Sequence, residues 1–276
     1  MSFEYMTGLQ NDLASILNLQ KSSGPLQAFE RCRALAELYP DSVEVWSFAS
    51  LLAFEAGAIP DALETVERAL CLDPNDGVLK LRKACCMQQS GRRQEAAALT
   101  EEIFDTVLPT AMDYGALAGL CAQQQRFDRA IVAYRDAIRI DSTNPDLHYN
   151  IATLQRFMGN FEEAEASCNR ALRCRKNDAD ALYLRSGLRR QTPQSNHLDE
   201  LSAALKVAKG HRAVSNIAYA LAKEHEDLGE YGAAFSAMAL AGDTRRRHMG
   251  YDVALDEHIL DAIALYCPAA RFNAAD

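Results

Sequence analysis

Alanine returns at a fixed interval in this chain: Ala28, Ala62, Ala96, Ala130 and Ala164 are spaced 34 residues apart. Blocks that begin at Leu9, Val43, Gly77, Ala111 and Pro145 place each of them at the twentieth position. The eighth position is small from the second block onward, reading Ser50, Ala84, Ala118, Ala152 and, in a sixth block from Ala179, Ser186. The twenty-seventh reads Leu35, Ala69, Ile103, Ala137 and Ala171, and the fifteenth supplies Gly57, Gly91 and Gly159. A period of this length marks an array in which one supersecondary unit is stacked on copies of itself.

Each block reads as two helices of about a dozen residues joined by a tight turn, and neither can bury its apolar stripe without a neighbour. The small residues let helix backbones approach, while Trp46, Tyr114, Leu117, Ile151, Tyr134 and Val66 fill the remaining volume. Tyr39-Pro40-Asp41-Ser42 and Leu72-Asp73-Pro74-Asn75-Asp76 end their blocks with a helix-incompatible proline and turn-forming polar residues.

Composition agrees with a packed chain, since 49% of residues are apolar and 24% charged. Twenty-nine Lys and Arg against 38 Asp and Glu leave a net charge of −9. That balance disfavours phosphate neutralisation, so no nucleic acid is expected as a partner. Met1-Ser2-Phe3-Glu4-Tyr5 lacks a basic and apolar leader, and no apolar run reaches membrane-spanning length, so the expectation is a soluble cytoplasmic protein with no membrane contact. Eight cysteines follow no C-x-x-C spacing and are expected to be reduced, mostly buried thiols.

Residues 9–178 resemble the tetratricopeptide repeat (TPR) family, with Trp46, Gly57, Ala62, Ala69 and Pro74 giving the best match to its pattern. The resemblance implies an all-α, right-handed α-solenoid of stacked helix-turn-helix repeats. We divide the chain into a lead-in (1–8), five repeats in register (9–178), two irregular repeats (179–250) and a capping helix with a tail (251–276). Block 1 lacks the first-helix aromatic, and block 3 departs from the pattern at Lys83 and Thr100. Leu108, Ser142 and Lys176 stand where the closing proline is expected. After Arg190 the register slips at Gln191-Thr192-Pro193-Gln194-Ser195-Asn196, and a second helix is expected over 197–209. A seventh block starts near Ser215. A last helix, about 252–266, carries Leu255, Ile259, Ala262, Ile263 and Tyr266 on one stripe and is expected to cap the stack.

The same resemblance implies that first helices line a concave groove, with positions 2, 5, 6, 9, 12 and 13 inward. Position 5 of blocks 5, 6 and 7 is Tyr149, Tyr183 and Tyr219; position 12 of blocks 5 and 6 is Arg156 and Arg190; Asn150 lies at position 6. Tyr and Arg combine contact area with directional donors, so these six form the candidate site for an extended or acidic peptide segment. The competing reading is that the tyrosines only pack against neighbouring helices. Basic residues outnumber acidic ones from Arg170 to Arg190, either as a steering surface or as a solvated helix face. Arg245-Arg246-Arg247-His248 closes the seventh block where cations complement a helix C-terminus.

No metal-ligand spacing, nucleophile elbow or phosphate-binding glycine loop occurs, so no cofactor, metal or catalytic residue is expected. His148 sits at the block position of Trp46 and Tyr114 and reads as a packing residue, and Cys85 as structural. Positions 6 read Ala14, Phe48, Arg82, Ala116, Asn150, Leu184 and Ala220, too few asparagines for a carboxylate clamp.

Residues 180–266 resemble the module that precedes the catalytic domain in bacterial TPR-containing sulfotransferases. The resemblance rests on Leu182 to Pro193, Asn196-His197-Leu198, Leu221 to Gly229 and Tyr251-Asp252-Val253. It implies that this chain is the non-catalytic recruiting part of a larger sulfotransferase and stops before the donor-binding loop. The alternative is a free-standing TPR adaptor.

Overall fold

The structure, a computed structural model, describes residues 3–267. Among the described residues there is no β-strand; Thr192 and Ser195 alone exchange a pair of backbone hydrogen bonds, at 3.1 and 3.0 Å. The helices are α1 (Phe3–Ser23), α2 (Pro25–Leu38), α3 (Val43–Glu55), α4 (Ile59–Leu72), α5 (Gly77–Gln89), α6 (Arg93–Ile103), α7 (Ala111–Gln123) and α8 (Phe127–Ile140). They continue as α9 (Pro145–Phe157), α10 (Phe161–Cys174), α11 (Ala179–Ser186), α12 (Leu198–Val207), α13 (His211–Asp227), α14 (Tyr231–Arg247) and α15 (Val253–Tyr266). The chain divides into two compact units, Met1–Arg175 and Lys176–Asp276.

In the first unit each helix pair packs internally and against the next, and the packing follows the repeat. Ala28, Ala62, Ala96, Ala130 and Ala164 are all fully buried, as are Ala84, Ala118 and Ala152. From the second block on, the fifteenth position ends the first helix in the left-handed region, at φ 74° for Gly57, 82° for Gly91 and 80° for Gly159. Block 4 has Gln125 there, held at φ 59°.

The large residue at position 4 locks the turn that precedes its helix. Trp46 Nε1 donates to the Pro40 carbonyl at 2.9 Å, the Tyr114 hydroxyl accepts from the Leu108 backbone N–H at 3.3 Å, and His148 Nε2 lies 3.4 Å from the Ser142 carbonyl. All three bonds reach back six residues. The histidine substitutes for Trp and Tyr because an imidazole keeps both the ring and the polar tip.

Departures from the repeat are accommodated chemically. Thr100 is fully buried, and its hydroxyl donates to the Ala96 carbonyl one turn back. Lys83 reaches Glu67 at 3.0 Å. The turns without a closing proline stop their helices by other means. In block 3 Leu108 is buried, and the room that Gly77 leaves is filled by Thr106 and Leu108. In block 4 Asp141 accepts from the Thr143 backbone N–H and hydroxyl, and in block 5 Asn177 adopts φ 63°.

Three boundaries differ from the sequence expectation. The lead-in is part of α1, which starts at Phe3; residues 1–2 and the tail beyond 267 lie outside the described residues. α13 begins at His211, one turn ahead of the seventh block. The last helix forms with Asp252 as its N-cap, accepting from the Ala254 N–H at 3.0 Å, but no residue of α15 is buried. Its stripe faces solvent, with Leu255 65% exposed, so it does not act as the expected packed cap. Its amphipathic pattern makes the helix without supplying a receiving face.

A non-glycine residue in the left-handed region is strained, so Gln125→Gly is expected to stabilise the first unit by about 0.5–1 kcal/mol. Thermal and denaturant unfolding measure it; unchanged or lowered stability would show that Gln125 carries no such strain.

Candidate functional site

First helices line two cavities of the first unit, while a smaller one of about 90 Å³ is bounded by both α1 and α2. One of about 380 Å³ is bounded by Leu13, Leu17, Glu44, Ser47, Phe48, Leu51 and Arg82, from α1, α3 and α5. Another of about 220 Å³ runs from Phe54 through Cys85 and Gln89 to Ala116, Gly119, Leu120 and Gln123. With the exception of Leu120, every one of these residues falls on a repeat position assigned inward. Sequence reading passed over the first cavity because it sought polar donors, although Leu13, Ser47, Phe48 and Leu51 sit at the same inward positions.

Arg82 Nη1 donates to the Ser47 carbonyl and the Ser50 hydroxyl, both at 2.8 Å. Burial pulls its guanidinium below the ordinary value, partly offset by neighbours that include Asp76 and Asp113. The side chain therefore presents a fixed, partly desolvated cation at the rim of an apolar hollow.

Of the six candidate residues, Tyr149, Asn150 and Arg156 belong to the first unit. Tyr149 is half-buried. Asn150 bonds the phenol of Tyr134, whose acidity is weakened chiefly by burial. Arg156 is exposed and rests on the Phe157 ring at 5.5 Å, which in turn stacks on Phe127 at 6.2 Å.

Tyr183, Arg190 and Tyr219 belong to the second unit, and only the two tyrosines meet, with ring centroids 6.5 Å apart and planes tilted by 55°. Tyr183 is 47% exposed. Both line a cavity of about 550 Å³ together with His211, Arg212, Ser215, Asn216, Arg245, His248 and Met249. Arg190 lies on a separate cavity with Arg189, Lys223, Asp227 and Tyr231. The basic run from Arg170 to Arg190 is likewise distributed among local partners: Arg170 donates to Ser167, Arg175 to Asp146, Arg185 to Glu200 and Arg189 to Ser195.

The interrupted sixth repeat is held by a buried polar network. Glu224 on α13 has no solvent exposure; it accepts from the Ser186 hydroxyl at 2.7 Å and the His197 backbone N–H at 2.6 Å, and faces His197 Nδ1 at 3.0 Å. Burial raises its carboxyl, but these hydrogen bonds outweigh that effect and the net shift is downward. Asp227 accepts from the Gln191 N–H at 2.7 Å and pairs with Lys223 at 2.6 Å, while Lys223 also reaches the Arg189 carbonyl. Segments 182–193, 196–198 and 221–229 thus converge here, where α11, with 8 residues against 13 in α9, lacks its last turn.

Burial raises several thiols of the first unit. Burial pushes the Cys85 thiol up to about 11, with Arg82 opposing, and Cys32 and Cys86 to about 12. Burial lowers the His148 pKa, and the Ser142 carbonyl works the other way. Cys32, Cys86, Cys121 and Cys168 are buried and Cys85 half-buried, while Cys71, Cys174 and Cys267 depart from the expected burial and are exposed. Among the described residues no helix is long and apolar enough to cross a membrane, and no group of three or more His, Cys, Asp or Glu could hold a metal ion.

Residues 122–188 match the tetratricopeptide repeat family. No curated protein matches the chain in sequence. Among solved structures, the C-terminal part of a TPR repeat-containing protein from Cytophaga hutchinsonii is similar with a TM-score of 0.60 at 15% identity, over 88% of this chain and 98% of that one. PilW, a type IV pilus biogenesis factor, gives 0.57 at 14% identity over 82% and 97% of the two chains. YrrB, a TPR protein with an unusual peptide-binding site, gives 0.50 at 13% identity over 76% and 98%. At these identities the likeness defines the fold, an all-α solenoid of TPR type.

Removing a buried acceptor strands its donors, so Glu224→Ala is expected to destabilise the chain by about 3 kcal/mol. A depressed carboxyl contributes stability that is present above its ordinary value of 4.5 and lost as pH falls through its lower folded value. Acid unfolding should therefore be steeper in the wild type than in Glu224→Gln. Equal slopes would show that Glu224 is not the titrating group.

Proposed function

We propose that this chain is a non-catalytic scaffold that holds a protein or peptide segment against the face formed by its first helices, and that it is the recruiting module of a larger sulfotransferase. The observation that carries the scaffold reading is the coincidence of the first unit's two larger cavities with inward repeat positions, from Leu13 to Gln123. Such cavities offer apolar area with a few fixed donors, the composition of peptide-binding clefts. The peptide-binding site reported for YrrB, on a similar fold, supports the same reading. Tyr149, Asn150, Arg156, Tyr183, Arg190 and Tyr219 are proposed as partner contacts.

Support for the sulfotransferase link is the resemblance of residues 180–266. The alternative, a free-standing adaptor, draws on the Glu224 and Asp227 network, which gives those same residues a structural task that needs no catalytic domain.

Tyr183→Ala and Arg190→Ala are each expected to weaken capture of the natural partner about five- to tenfold, without lowering thermal stability. Wild-type capture by both folded variants would remove the groove reading. The product of the full natural reading frame, assayed for sulfonate transfer from the activated sulfate donor to peptides, should be active where this chain is not; inactivity of both would leave the adaptor.

A further inference from the structure

The second unit contains a helix pair that is longer than its counterparts. α13 and α14 have 17 residues each, whereas α7 and α9 have 13 and α8 and α10 have 14. The extra turns lie side by side: the rings of His211, at the start of α13, and His248, just past α14, stack at 4.3 Å with planes 12° apart. Between these turns and α11 lies the cavity of about 550 Å³ that also holds Tyr183 and Tyr219. Ser215 fixes the helix pair by donating to the Ala241 carbonyl at 2.8 Å.

The charges around this cavity do not cancel. Asp180 is its acidic neighbour, and it is already satisfied by Arg212 at 3.0 Å and by Asn216 at 2.7 Å. Arg245 forms no ion pair among the described residues. His248 Nδ1 is committed to the Thr244 carbonyl at 2.9 Å, which leaves Nε2 as the free nitrogen of that ring. α12, which packs on α13, adds no residue to the lining. What remains is an arginine, two imidazoles and two phenols, all of them donors or able to become donors.

We propose that this cavity is a proton-linked receptor for an acidic peptide segment, a carboxylate lying against Arg245 and the His211–His248 pair and the adjoining residue against Tyr183 and Tyr219. The proposal rests on the groove reading through the two tyrosines and assigns the groups that receive the ligand's carboxylate. Two stacked imidazoles repel one another when both are cationic, so the doubly charged pair forms when an anion lies beside it. Binding then takes up a proton, and by reciprocity acid tightens binding. The volume exceeds that of a bare oxyanion, which favours a peptide side chain with its flanking backbone over free phosphate.

The test is calorimetric titration of the full chain with a tetraglutamate peptide blocked at both ends, and separately with inorganic phosphate, at about pH 5.5 and about pH 8, either side of the ordinary histidine value of about 6.5. The peptide is expected to bind about tenfold more tightly at the lower pH and to outcompete phosphate. Arg245→Gln and His248→Ala, both at exposed positions, should weaken binding about tenfold and His248→Ala should flatten the pH profile, whereas Arg139→Gln, at an exposed position of the first unit, should leave both unchanged. Binding that ignores pH, that is insensitive to Arg245→Gln and His248→Ala, or that is no tighter for peptide than for phosphate overturns the proposal. If Arg190→Ala still weakens capture of the natural partner in that case, the groove reading stands without this receptor.

Discussion

The close approach of helix backbones over buried alanine is the contact on which the rest of the first unit depends. With Ala28, Ala62, Ala96, Ala130 and Ala164 at zero exposure, there is no side-chain volume to separate the helices, and the larger residues fill what curvature leaves. A repeat has no core of its own, so each alanine serves two neighbours. The same constraint explains which polar residues the stack accepts. Ser50, Thr65 and Thr100 are as buried as alanine, and each returns its hydroxyl to a carbonyl three or four residues back in its own helix. They are alanine-sized and internally satisfied, which removes the cost of burying an unpaired polar group.

At position 8 this tolerance becomes a means of placing charge. Ser50 accepts from Arg82 in the first unit, and Ser186 donates to Glu224 in the second. One small hydroxyl in the tightest seam of the repeat lets the following first helix hold a desolvated charge, cationic in one unit and anionic in the other. Arg82 borders a cavity and Glu224 closes a loop, so identical repeat chemistry serves a surface in one place and stability in the other.

Periodicity made most of the first unit legible. The burial of positions 8, 20 and 27 and the breaks at Gly57, Gly91 and Gly159 follow from local pattern, as does the shared position of Trp46, Tyr114 and His148, although their bonds to the preceding turns do not. The interrupted sixth repeat was not legible in the same way, because its bonds join Gln191 to Asp227 and Ser186 to Glu224 across more than thirty residues and follow no period. The extra turns of α13 and α14 were hidden by imposing a 34-residue register on them, and with them the company of Tyr183 and Tyr219. For α15 the stripe from Leu255 to Tyr266 specified a helix, but amphipathicity records only that a face could be buried. Segments 182–193 and 221–229 illustrate a related limit: Asp227 and Glu224 of the second satisfy backbone donors at residues 191 and 197.

The net charge of −9 bears on how such a scaffold could select an acidic ligand. At long range the chain repels it, so electrostatic steering cannot supply affinity. Selection must come from groups whose field acts at contact distance: in the first unit Arg82, partly desolvated at the rim of an apolar hollow, and in the second the exposed Arg245 and paired imidazoles beside two phenols. Salt would then act in opposite senses, screening the overall repulsion that slows encounter while leaving the partly buried contacts less affected. A scaffold built this way discriminates by fit at the cavity rather than by attraction to the surface, which is the behaviour required of a protein that is itself acidic.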